Sequence, residues 1–141
     1  MVIDIPISEI MTQQVVSLTS EDSLETAEKL MKKHHIRHLP IVNEGKLKGI
    51  LSLTDLQRIS FATPISEIDE NMGSAIYDMF TIDQIMTHHP VIVNVHDGII
   101  KALHILAENE FHALPVVNKD SLVGIITTTD VIKYFLSICE R

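Results

Sequence analysis

Gly49-Ile50-Leu51-Ser52-Leu53-Thr54-Asp55 is repeated further along the chain as Gly124-Ile125-Ile126-Thr127-Thr128-Thr129-Asp130. In both stretches a glycine sits inside an apolar run, and hydroxyl residues and an aspartate follow where that run ends. A glycine within a strand marks a place where a ligand or another backbone comes close. Where a strand hands over to a helix, the first backbone amides form an anion site, and Ser or Thr hydroxyls can add donors. An aspartate beside them suits a vicinal diol, because its two oxygens accept from two sugar hydroxyls. A ribose phosphate would satisfy both groups. The plainer reading is that these residues only cap helices, as Ser, Thr and Asp commonly do. Two copies of Ser/Thr-x-x-Asp in the same context favour the ligand.

The repeat extends well beyond these stretches. Shifted by 75 positions, residues 7–56 fall on 82–131 without a gap, and 16 of the 50 pairs are identical. Ile10-Met11-Thr12 falls on Ile85-Met86-Thr87, Leu39-Pro40 on Leu114-Pro115, and Val42-Asn43 on Val117-Asn118. Such self-similarity is the signature of a duplicated supersecondary unit.

In the first copy, residues 15–18 read as a short strand. Asp22, with Glu25 three residues on, offers a capping box for a helix whose apolar face is Leu24, Ala27, Leu30 and Met31. Residues 38–43 read as a second strand, Gly45 as a turn, and 47–53 as a third strand, with Thr54 or Asp55 opening a second helix. The fold class is α/β (α+β): two βαββα repeats with small mixed sheets. A strand–helix–strand crossover is parallel and the Gly45 hairpin antiparallel. A unit of this size buries too little surface to be comfortable alone, so the repeats are expected to dock through their sheets about a pseudo-twofold axis, creating two related clefts. The boundaries drawn from the repeat are 1–66, including the N-terminal segment, and 67–141. The joining stretch 57–81 carries Ile59, Phe61, Ile65, Ile68, Met72, Ile76, Tyr77, Met79 and Phe80, so much of it should pack against the body.

Composition excludes several classes. The chain is 45% hydrophobic and 21% charged, which is globular, and its 4% aromatic content leaves the core to Ile, Val, Leu and Met. A net charge of −8 argues against nucleic-acid binding, which needs a basic face. Cys139 stands alone, and no run reaches the roughly 18 apolar residues of a membrane span, so a cytoplasmic protein is expected. The eight histidines include the adjacent pairs His34-His35 and His88-His89, whose side chains diverge by about 100° on a helix and do not readily chelate one ion. No metal site is expected. Neither a nucleophile elbow, nor a Walker loop, nor a dinucleotide glycine fingerprint occurs, so no enzymatic activity is expected.

Ile-Met-Thr, a helix, His-Leu-Pro-Ile-Val-Asn and then Gly-Ile-Leu-Ser-Leu-Thr-Asp-Leu together resemble the CBS domain. Both copies match, and with the joining stretch they cover nearly the whole chain. The layout resembles stand-alone bacterial CBS-pair proteins, some of them called acetoin-utilisation proteins. The resemblance implies a regulatory module that binds AMP, ADP, ATP or S-adenosylmethionine in a cleft between the repeats; a scaffold that has lost its ligand is the alternative. It implies that Asp55 and Asp130 hold ribose hydroxyls, and that Ser52, Thr54, Thr127 and Thr129 meet ribose or phosphate. It places Arg37 and His38 near phosphates and Thr12 and Thr87 along the same clefts. The second copy has His112-Ala113 in place of Arg37-His38, a departure that leaves open whether both clefts bind. The resemblance also agrees with a homodimer, expected independently from the helix 130–138, which is apolar around most of its circumference. The partner that such a module regulates is not written in the sequence.

Overall fold

A computed structural model describes residues 4–62 and 76–141. The helices are α1 (Leu24–His34), α2 (Leu53–Ala62), α3 (Ile82–Ile85), α4 (Ile99–Glu108) and α5 (Thr128–Cys139). The strands are β1 (His38–Asn43), β2 (Lys46–Ser52), β3 (Thr87–His88), β4 (Val93–Asn94), β5 (Ala113–Asn118) and β6 (Ser121–Thr127). The fold class is the mixed α/β arrangement read from the repeats. Among the described residues no helix is long and apolar enough to cross a membrane.

The chain forms two compact units, each of which combines segments from both copies of the repeat. Among the described residues, one gathers 16–44, 48–62 and 76–89; the other gathers 4–15, 45–47 and 90–141. The N-terminal segment therefore belongs with the second copy's strands, and the segment before Pro90 with the first copy's.

In the first of these units β1 and β2 are hydrogen-bonded neighbours and β3 pairs antiparallel with β2, Gly49 facing His88 and Ile50 facing Thr87. Glu44 and Gly45 make the β1–β2 turn with φ of 53° and 79°, positive values at both central positions as in a tight hairpin turn. The strand expected at 15–18 is reduced to one parallel bridge between Leu18 and Ile41. The core is Leu24, Ala27 and Met31 of α1, Leu39, Ile41 and Leu51 of the sheet, and Leu56 and Ile59 of α2, closed by Ile76, Ile82 and Met86. Of the joining stretch, Ile59 and Ile76 are thus buried and Tyr77 packs beside them, but Met79 is 75% exposed and Phe80 partly so. The side chain of Phe61, and Ile65, Ile68 and Met72, lie outside the described residues.

In the other unit β4 pairs parallel with β5, and β5 antiparallel with β6, a mixed sheet. Its core is Ile7, Val93, Ala102, Leu114, Val116 and Ile126. The start of α4 has Gly98 as its cap, with no side chain to offer, and the carboxylate of Asp4 accepts from Ile100 N–H instead at 3.1 Å.

Two helix starts differ from the sequence reading. α1 is capped by Ser23, which accepts from Thr26 N–H, not by Asp22. Asp22 is held by its own turn, where Oδ2 accepts from Thr19 N–H at 2.8 Å. α2 opens at Leu53, ahead of Thr54 and Asp55.

Candidate functional site

The glycines of the repeated stretch face backbone. A Cβ on Gly49 would lie 2.6 Å from the carbonyl oxygen of Thr87 and 2.7 Å from the Met86 sulfur. On Gly124 it would lie 3.0 Å from the carbonyl oxygen of Thr12 and 2.5 Å from the Met11 sulfur. Each Met-Thr segment crosses the strand of the opposite copy at that glycine, and Thr12 and Ile125 exchange two backbone hydrogen bonds of 2.8 and 3.0 Å. Of the two causes open for a strand glycine, close approach of another backbone is the one present at both positions.

The residues singled out in the sequence fall into two groups, one in each compact unit. The first contains Arg37, His38, Ser52, Thr54, Asp55 and Thr87; the second Thr12, His112, Thr127, Thr129 and Asp130. Ser52 stands at the entrance of α2, where Ser52 N–H donates to Asp55 Oδ2 at 2.8 Å and Asp55 N–H donates to Ser52 Oγ at 3.1 Å. Thr127 and Asp130 make the same reciprocal box on α5, at 2.9 and 3.1 Å. Helix capping is therefore one role of both aspartates. It occupies one oxygen of Asp55. The other, Oδ1, lies 3.9 Å from an Arg58 guanidinium that is itself 75% exposed.

The helix amides are less available than the sequence suggests. Leu53 N–H donates to the carbonyl of Arg37 at 2.8 Å, and Thr128 N–H to that of His112 at 3.0 Å. With Asp55 N–H and Asp130 N–H also engaged, the amides of Thr54 and Thr129 are left among the first three. These bonds fix Arg37 and His112 beside their helix starts. Arg37 is exposed, His38 is half-buried at the start of β1, and the Thr54 and Thr129 side chains face solvent.

Arg37 also borders a cavity of about 680 Å³ with an apolar floor of Met31, Ile36, Leu53 and Leu56. Its rim carries Lys32, His35, Gln57 and Tyr77. Burial raises the Glu28 carboxyl, but hydrogen bonds from Lys32 and Tyr77 outweigh it and hold the group below its ordinary value. Burial first and Glu28 second push the Tyr77 phenol up to about 12. Sequence reading passed over this cavity. The Glu28–Lys32 pair, four apart on a helix, is legible; Tyr77 meeting Glu28 across 49 positions is not.

No group of three His, Cys, Asp or Glu side chains among the described residues is placed to hold a metal. His88 Nε2 meets the carbonyl of Asp83, and His104 lies against Glu108.

Residues 7–61 and 82–137 each match the CBS domain. Among solved structures, the AcuB protein from Vibrio cholerae superposes with a TM-score of 0.80 at 28% identity, over 98% of this chain and 95% of that one. The CBS domain pair of protein MJ0100, solved with 5′-methylthioadenosine and S-adenosyl-L-methionine, gives 0.79 at 26%, over 96% and 98%. The uncharacterized protein MJ1225 of Methanocaldococcus jannaschii is 28% identical over 130 residues. That match takes in 92% of this chain but only 46% of MJ1225, so the chain spans about half of that relative's length.

Proposed function

The chain belongs to the CBS-domain family, and on that premise we propose that it is a non-enzymatic regulatory module sensing an adenosyl compound. The candidates are AMP, ADP, ATP and S-adenosylmethionine. The observation that carries the reading is the duplicated Ser/Thr–Asp box. Each box fixes a carboxylate by one oxygen at a helix start, and in the first copy the other oxygen is left to accept from a ribose. A fixed carboxylate binds a diol better than a mobile one, because less freedom is lost on binding. Arg37, His38 and the exposed Thr54 hydroxyl provide for phosphate in the first site; His112 and Thr129 stand in their place in the second, with Thr12 and Thr87 flanking. That MJ0100 was solved with two adenosyl compounds supports the ligand class.

The second reading is a scaffold that has lost its ligand. It is favoured by the completeness of the structural roles: both aspartates cap helices, and both glycines are explained by crossing backbone. A thermal-shift series with AMP, ADP, ATP, adenosine and S-adenosylmethionine separates the two. A true ligand present at a hundred times its Kd adds about 2.7 kcal/mol. A flat series gives the scaffold. We propose a cytoplasmic location for the module, where nucleotide pools are held.

A further inference from the structure

The two sites are made of the same parts, yet they are not equally open. In the second, Thr12 Oγ1 donates to Asp130 Oδ1 at 3.3 Å while Oδ2 already accepts from Thr127 N–H at 2.9 Å. Both oxygens are engaged. In the first, the counterpart hydroxyl of Thr87 has no partner among the described residues, and Asp55 Oδ1 accepts no hydrogen bond from them, facing only the exposed Arg58 guanidinium across 3.9 Å. Thr12 thus stands where a sugar hydroxyl would donate. A further difference runs the same way. Arg37 and Leu53, at the first site, border the cavity of about 680 Å³, whereas the second site has His112 in place of the guanidinium.

We infer that the Asp55 site fills first and that Thr12 sets the affinity of the Asp130 site as an internal competitor for Asp130. The inference rests on the adenosyl reading above. Thr12 is exposed, so its side chain can rotate away. The competition therefore lowers affinity without abolishing binding. One displaced hydroxyl–carboxylate bond corresponds to roughly five- to tenfold in Kd.

The experiment is calorimetric titration of the full chain with AMP and, in parallel, with S-adenosylmethionine. The wild type should show a first site per chain that saturates before a second, the two Kd values differing by about tenfold or more. Thr12→Val keeps the side-chain shape and the backbone pairing with Ile125 but removes the hydroxyl, and it should tighten the second site about five- to tenfold. Asp55→Asn should weaken the first-filled site about tenfold or more. Equal sites in the wild type, a Thr12→Val second site that is unchanged or weaker, or weakening of the first-filled site in Asp130→Asn instead would each overturn the inference while leaving the adenosyl reading standing. No heat with either compound, nor with ADP or ATP, in wild type or variants, removes the adenosyl reading, and the inference falls with it.

Discussion

At Asp55 one oxygen is committed to Ser52 N–H and the other faces an exposed arginine across 3.9 Å, so the side chain is both fixed and receptive. A cap alone would use the same geometry, which is why the aspartate's identity cannot separate capping from binding and its neighbours have to. Arg37 sets a guanidinium beside His38 in a chain whose net charge is −8. Replacing both with alanine should weaken AMP far more than adenosine, because a guanidinium recognises the phosphate through charge-assisted hydrogen bonds that adenosine cannot make. The expected selectivity loss is on the order of tenfold or more in the ratio of the two Kd values, read by calorimetry. An equal loss for both ligands would assign the pair a packing role. Asp55, Asp130 and the hydroxyls around them stood out as a candidate site because the chain repeats them in register. The Thr12–Asp130 bond was not, since it joins residues 118 apart and no local pattern announces it.

Element boundaries divide along the same line between local and distant causes. β1 runs His38–Asn43 as read, because an apolar run ending in a turn is a local signal. α2 begins one residue before the expected Thr54, since Ser52 rather than Thr54 provides the cap. Asp22 fails as the cap of α1 because its carboxylate closes the preceding turn at Thr19, and Asp97, at the same position of the second copy, closes a turn at Asn94. There the Asn94 N–H, and then the Lys101 ammonium, hold the Asp97 carboxyl below its ordinary value. The strand expected at 15–18 lacks a long partner and survives as one bridge. The crossings at Gly49 and Gly124 are where elements from opposite copies meet, and they yield a prediction. Gly49→Ala must displace the Thr87 carbonyl or the Met86 side chain, and overpacking of this kind costs about 1–3 kcal/mol. Gly124→Ala should behave alike against Thr12 and Met11. Urea unfolding reads both, and midpoints equal to wild type would mean that the Met-Thr segments do not seat on those strands.

For the molecule as a whole, the surface of α5 is the feature in need of a partner. It has no buried residue, and Ile132, Phe135, Leu136 and Ile138 are 59, 65, 51 and 44% exposed. Ile132, Phe135 and Leu136 are spaced to share one face, and an apolar patch of that kind marks an interaction surface. A homodimer is therefore expected, as the sequence suggested. Light scattering at micromolar concentration should give about twice the chain mass of 15.8 kDa, and a value near one chain mass would contradict it. Phe135→Glu or Leu136→Glu should return the dimer to monomer, because an unpaired carboxylate is costly to bury. The duplication made the fold class and the two clusters of candidate residues legible, whereas the exchange of N-terminal segments between copies needed the folded chain. The claim on which the rest depends is that Asp55 holds an adenosyl ligand. Calorimetric titration of wild type and Asp55→Ala with AMP and S-adenosylmethionine tests it most directly. The account predicts saturable binding of at least one of them, weakened about ten- to a hundredfold in the variant while the fold is retained; an unchanged affinity in Asp55→Ala would contradict it.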